Sequence, residues 1–83
     1  MVTFSLQATT QKSYYGKAVV TEIGDNYYLL SYDTIVCKYT KEREFKRMWN
    51  GYSRTTMNHI NDFRKLFGLE RITKKEWEKM KVY

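Results

Sequence analysis

The sequence predicts an α+β fold, an antiparallel β-meander of three to four strands followed by two C-terminal helices packed on the sheet. Three observations carry this reading. From Tyr14 to Trp49 the chain is rich in β-branched and aromatic residues and is broken by short polar turns. From Met57 onward apolar residues recur at three- and four-residue steps, the period of an amphipathic helix. The 83 residues contain no proline and only 4 glycines, which argues against a long disordered linker. Residues 1–83 therefore read as one domain, of a size that builds a single modest core.

Residues 1–12 hold an edge strand or an ordered arm, because Phe4, Leu6 and Ala8 alternate with Thr3, Ser5 and Gln7. The meander occupies 14–49. Tyr14 to Ile23 reads as a strand, and Gly24-Asp25-Asn26 supplies hairpin chemistry before a partner that starts at Tyr27. Asp33 interrupts the next β-like run. It is expected to mark a bulge in one long bent strand rather than a tight turn between two. Thr40 to Arg43 is a polar turn. Glu44 to Trp49 alternates again, with Phe45 and Trp49 on one face and Met48 on the other.

The helix over 53–67 is drawn by Met57, Ile60, Phe63, Leu66 and Phe67. Ser53 stands where an N-cap belongs and Gly68 where a C-terminal glycine belongs. A short helix follows over 73–81. Thr73 and Glu76 make a capping box, and Trp77 and Met80 give a narrow apolar stripe. The two helices are expected to cover one sheet face, which cannot be left bare.

The formal net charge is +6 and it is unevenly placed. Residues 1–37 carry Lys12 and Lys17 against Glu22, Asp25 and Asp33, a balance of −1; residues 38–83 carry the other thirteen cations against six acids, a balance of +7. A basic half points toward a polyanion. Cys37 stands alone, so neither a disulfide framework nor a cysteine zinc site can form, and it reads as a small buried hydrophobe. A reducing bacterial cytoplasm is the natural setting. No run of about 18 apolar residues suggests a membrane span, and the first residues lack a signal-peptide pattern.

The stretch W-N-G-Y-S-R-T-T-M-N-H-I, residues 49–60, concentrates the candidate chemistry. Ser53 and His59 are six residues apart on one helix start and do not face each other, so no Ser–His relay follows. His59 and Asp62, three apart, read as a surface or packing contact. One histidine without a ligand pair is no metal site, and no cofactor is called for. The chain thus reads as non-enzymatic. Gly51, Ser53, Trp49 and Tyr52 explain a joint between sheet and helix. The same helix start also offers free N–H groups and a positive dipole end to a phosphate, with Arg54, Thr55 and Thr56 as donors and Arg47 nearby. Candidate nucleic-acid or partner contacts are Lys46, Arg47, Tyr52, Arg54, Thr55, Thr56, His59, Arg64 and Lys65. Arg71, Lys74, Lys75 and Lys79 extend the basic set, and Tyr39, Trp49 and Tyr52 interleave it with rings. No zinc finger, RNP aromatic pair or KH-type GXXG loop occurs.

Y-Y-G-K-A at 14–18, S-Y-D-T-I-V at 31–36, the 49–60 stretch and K-K-E-W at 74–77 together resemble a family of small proteins of unknown function found in phages and mobile elements of Firmicutes and other gut bacteria. The resemblance runs from about Tyr14 to Trp77, and G-Y-S-x-T-T-x-x-H-I is its most specific piece. It implies a phage, prophage or plasmid origin and a host cytoplasm, and it brings no reaction. Two functions follow as expectations. The first is nucleic-acid binding, to DNA or RNA, through the basic C-terminal half. The second is a protein-binding inhibitor of a host defence system, of anti-CRISPR or anti-restriction type, or of other host machinery or a nucleoprotein complex. Such an inhibitor would use Tyr27, Tyr28, Tyr32 or Tyr39 where these face solvent. A free sheet edge would allow a homodimer by strand pairing.

Overall fold

A computed structural model describes residues 2–6 and 16–83. The element order is β1 (Val2–Ser5), β2 (Ala18–Ile23), β3 (Asn26–Ser31), β4 (Thr34–Tyr39), β5 (Phe45–Arg47), α1 (Arg54–Leu66) and α2 (Lys74–Lys79). The strands form one five-stranded antiparallel meander in sequence order, so the fold is α+β as expected. The strand readings at Gln7, Ala8, Tyr14 and Tyr15 lie outside the described residues.

β1 is an edge strand, exposed along all four residues. β2 and β3 meet through a two-residue connection, Gly24-Asp25, with Ile23 opposite Asn26. Gly24 has φ 62, a conformation a Cβ disfavours, which is why glycine fits there.

The long bent strand expected through Asp33 is corrected. Ser31 lies opposite Thr34, so Tyr32 and Asp33 form a tight turn between β3 and β4. The turn carries no glycine. Tyr32 takes φ 58 instead, and its N–H donates to Lys17 O at 2.8 Å, which ties the turn to the start of β2. A bend does exist, displaced into β4: Leu29 faces Cys37 and Leu30 faces Ile35, leaving Val36 as the extra residue of a bulge.

β5 is shorter than the alternation from Glu44 to Trp49 suggests. Its far edge is covered by the chain's end: Val82 bridges Arg47 in parallel, and Tyr83 N–H donates to Arg47 O at 2.8 Å.

Ser53 caps α1, accepting from Thr56 N–H at 3.0 Å. The helix closes through a Schellman pattern. Leu69 N–H reaches Arg64 O, Gly68 N–H reaches Lys65 O, and Gly68 carries φ 73. α2 has both halves of its capping box, Glu76 N–H to Thr73 Oγ1 at 3.2 Å and Thr73 N–H to Glu76 Oε1 at 2.9 Å.

Alternation fixes the sheet's two faces. Ala18, Val20, Leu29 and Cys37 point inward and are buried with Met57, Ile60 and Phe63 of α1, Ile72, and Trp77 of α2. Tyr27, Tyr39 and Phe45 extend this layer, and Phe67 stacks on Tyr39 with ring centroids 4.2 Å apart. Both helices thus cover the same face. Fully burying one side chain the size of Phe63 contributes about 1.5–3 kcal/mol, so this layer carries most of the stability.

Candidate nucleic-acid interface

The turn from β5 into α1 is built around Arg47. Cys37 lies opposite Arg47 in the ladder, so the arginine points inward, 5% exposed. Its Nε donates to Trp49 O at 2.8 Å. Its Nη1 donates to Trp77 O at 2.8 Å and Met80 O at 3.3 Å, and its Nη2 to Gly51 O at 3.5 Å. The guanidinium lies 4.6 Å from the Trp77 ring. The expectation of Arg47 as a phosphate contact is therefore corrected: its donors hold backbone carbonyls of the joint and of α2. Trp77 Nε1 donates to Gly51 O at 2.9 Å and closes the same joint. A Cβ on Gly51 would sit 2.5 Å from Cζ2 of Trp49, so glycine is required there by close approach of the indole.

Thr56 and His59 are also interior. Ser31 Oγ lies 2.9 Å from Thr56 Oγ1 and 2.8 Å from His59 Nδ1, and all three side chains are buried. Burial lowers the His59 pKa, and the Asp62 carboxylate partly offsets this. His59 is 1% exposed and Asp62 4% exposed, so both side chains lie in the interior rather than on the helix surface. Ser31 is the partner that sequence reading missed. The signal was present as S-Y-D-T, but only the β3–β4 turn places that serine over the first turns of α1.

The remaining candidates face solvent in part or in full. Tyr52, Arg54 and Thr55 are exposed around the start of α1, and Lys74 Nζ stands 4.8 Å from the Tyr52 ring. That contact brings the start of α2 beside the start of α1. Lys65 is exposed at the far end of α1, eleven residues from Arg54, or about 16 Å along the axis. Arg64 is half-buried; its Nε donates to Glu70 O at 2.8 Å and its guanidinium lies 4.6 Å from the Phe45 ring. Burial lowers its pKa against the pull of Cys37, Glu76 and Glu70. Lys46 lies on the opposite sheet face, with Nζ 3.8 Å from a Glu44 carboxylate oxygen and 4.8 Å from the Tyr83 ring. The nine candidates do not form one site. They divide into an internal set, a cluster at the start of α1, the far end of α1, and Lys46 on the outer sheet face.

The stretches that carry the resemblance meet in this region. S-Y-D-T reaches the 49–60 stretch through Ser31, and K-K-E-W reaches it through Trp77 and Gly51. Most of their shared chemistry holds the helical layer to the sheet. Among the described residues no helix is long and apolar enough to cross a membrane. The model of a family of unknown function, DUF8033, matches residues 4–79. No curated protein and no solved structure matches the chain.

Proposed function

The chain belongs to the DUF8033 family of unknown function, and we propose that it is a small non-enzymatic protein of a phage or mobile element that binds nucleic acid through its basic C-terminal half. One observation carries this reading. Among the described residues only Lys41 and Lys46 form salt bridges, with Asp25 and Glu44. Arg54, Lys65, Arg71, Lys74, Lys75 and Lys79 are exposed with no carboxylate in ion-pair reach among those residues. A surface of unneutralised cations attracts phosphates and releases their counterions on binding. Tyr52 beside Lys74 adds a ring to that surface.

The test is a titration of labelled single- and double-stranded DNA and RNA at about 50 and 200 mM salt, where phosphate contacts show themselves. Binding is expected at the lower salt, weakening steeply at the higher. The triple variant Arg54→Glu, Lys74→Glu, Lys75→Glu is expected to lower affinity at least about tenfold. Its fold is safe because acids suit the first turn of a helix. No binding by the unaltered protein at 50 mM overturns the reading.

A second reading has its own observation. Ile23, Tyr32 and Ile35 are large, apolar and exposed, as a protein-binding inhibitor of host defence would need. Of the four tyrosines expected to serve it, Tyr27 and Tyr39 pack against Phe67, which leaves Tyr28 and Tyr32. Capture of one specific host protein from nuclease-treated lysate, lost in Tyr32→Ala, would favour this reading over the first.

A further inference from the structure

Among the described residues both helices pack on one sheet face, and the side chains of the other face are ordered into two rows by the strand register. Thr3, Thr21, Tyr28, Lys38 and Lys46 are successive partners across all five strands. Ser5, Val19, Leu30 and Ile35 form the row beside them. None of these nine side chains is buried. With neighbouring strands about 4.8 Å apart, the first row is about 19 Å long.

The first row ends in one ring and two ammonium groups, and the Tyr83 ring stands beside the last of them. Lys38 Nζ lies 5.9 Å from the Tyr28 ring centre, and Lys46 Nζ lies 4.8 Å from that of Tyr83. Lys81 Nζ approaches the same Tyr83 ring at 5.0 Å. Tyr83 is 58% exposed and is held beside β5 by its N–H bond to Arg47 O. No carboxylate stands in either row; Glu44 pairs with Lys46 from the turn before β5.

We infer that this outer sheet face is a stacking platform for single-stranded nucleic acid, with bases on Tyr28 and Tyr83 and phosphates on Lys38, Lys46 and Lys81. The inference rests on the nucleic-acid reading above and assigns a surface distinct from the basic helical one. The chemistry chooses the partner. Three lysines with one carboxylate, Glu44, among them call for an anion, and the half-buried Tyr28 and exposed Tyr83 rings beside Val19, Leu30 and Ile35 call for flat apolar groups. A polyanion that carries flat apolar groups at each repeat is a nucleic acid. A flat sheet face cannot enter a major groove, and in a duplex the base faces are stacked on one another, so the strand must be single.

The experiment measures fluorescence anisotropy of labelled oligo-dT and oligo-rU, and of a mixed-sequence duplex, against the unaltered protein, Tyr28→Ala, Tyr28→Phe, Tyr83→Ala and Lys38→Ala. Circular dichroism confirms each fold. Single strands are expected to bind more tightly than the duplex. Tyr28→Ala and Tyr83→Ala should each weaken single-strand binding about tenfold, since stacking on a ring is lost. Tyr28→Phe should retain it. Lys38→Ala should reduce the slope of log affinity against log salt by about 0.7, the contribution of one phosphate on a single strand. Binding that is equally strong in both alanine variants, or tighter to duplex than to single strand, overturns the platform and leaves the helical surface in place. No binding of any strand by the unaltered protein overturns both.

Discussion

At the scale of single residues, the joint between sheet and helices depends on Arg47. A buried guanidinium is tolerable only because its donors meet carbonyls of Trp49, Gly51, Trp77 and Met80. Arg47→Ala leaves these carbonyls short of partners and opens a void against Trp77. A loss of about 3 kcal/mol or more in urea unfolding is expected; a change within about 0.5 kcal/mol, that of an ordinary surface substitution, would refute the assignment. Gly51→Ala is expected to destabilise through displacement of the half-buried Trp49 indole, read as a shift in tryptophan fluorescence together with a lower melting temperature. His59 makes stability depend on pH. Its pKa is lowered in the folded state by burial, so the unfolded chain binds the proton more readily. The contribution is therefore complete above the ordinary histidine value of about 6.5 and fades as pH falls through the depressed folded value. Melting temperature should drop from pH 7.5 to 5.5 in the unaltered protein, and the drop should shrink in His59→Gln.

At the scale of elements, what could be read from the sequence was what local chemistry decides. Ser53, Thr73 with Glu76, Gly68 and Gly24 act on backbone groups a few residues away, so their spacing exposed two helices and one hairpin. The tight turn at Tyr32 and Asp33 was the less favoured of two readings because its positive-φ residue is a tyrosine. What holds it is distant in sequence: Lys17 O accepts its N–H, and the β3–β4 register surrounds it. The candidate site was legible only as a composition of cations and rings. Which of them are internal depends on strand register, and Arg47 and Lys46 are adjacent in sequence yet on opposite faces. The polar turn before β5 makes a prediction at this scale. Arg43 is exposed and holds φ 64, a conformation that costs a side chain about 1–2 kcal/mol. Arg43→Gly relieves most of that cost and should raise the melting temperature by a few degrees. An unchanged or lower value would mean that the arginine side chain stabilises the turn.

At the scale of the whole molecule, the imbalance of charge is a property of the fold as much as of any partner. A net charge of +6 on 83 residues repels itself, and among the described residues only Lys41 and Lys46 stand in the ion pairs of the structure. The cost falls mainly on the helical half, where Lys74 and Lys75 crowd the start of α2 with no acid paired to them. Salt screens such repulsion, since the Debye length contracts from about 10 Å at 0.1 M to about 3 Å at 1 M. The same salt would weaken a protein stabilised by surface ion pairs. Melting temperature should therefore rise as sodium chloride increases from about 0.05 to 0.3 M, and the rise should be smaller in Lys74→Glu, Lys75→Glu. The measurement needs no ligand, so it tests the unneutralised surface independently of what binds there. A melting temperature that falls with salt would show that the cations are paired in solution. Unneutralised cations would then no longer draw phosphates to the helical half, while the rings and register of the outer sheet face would stand unaffected.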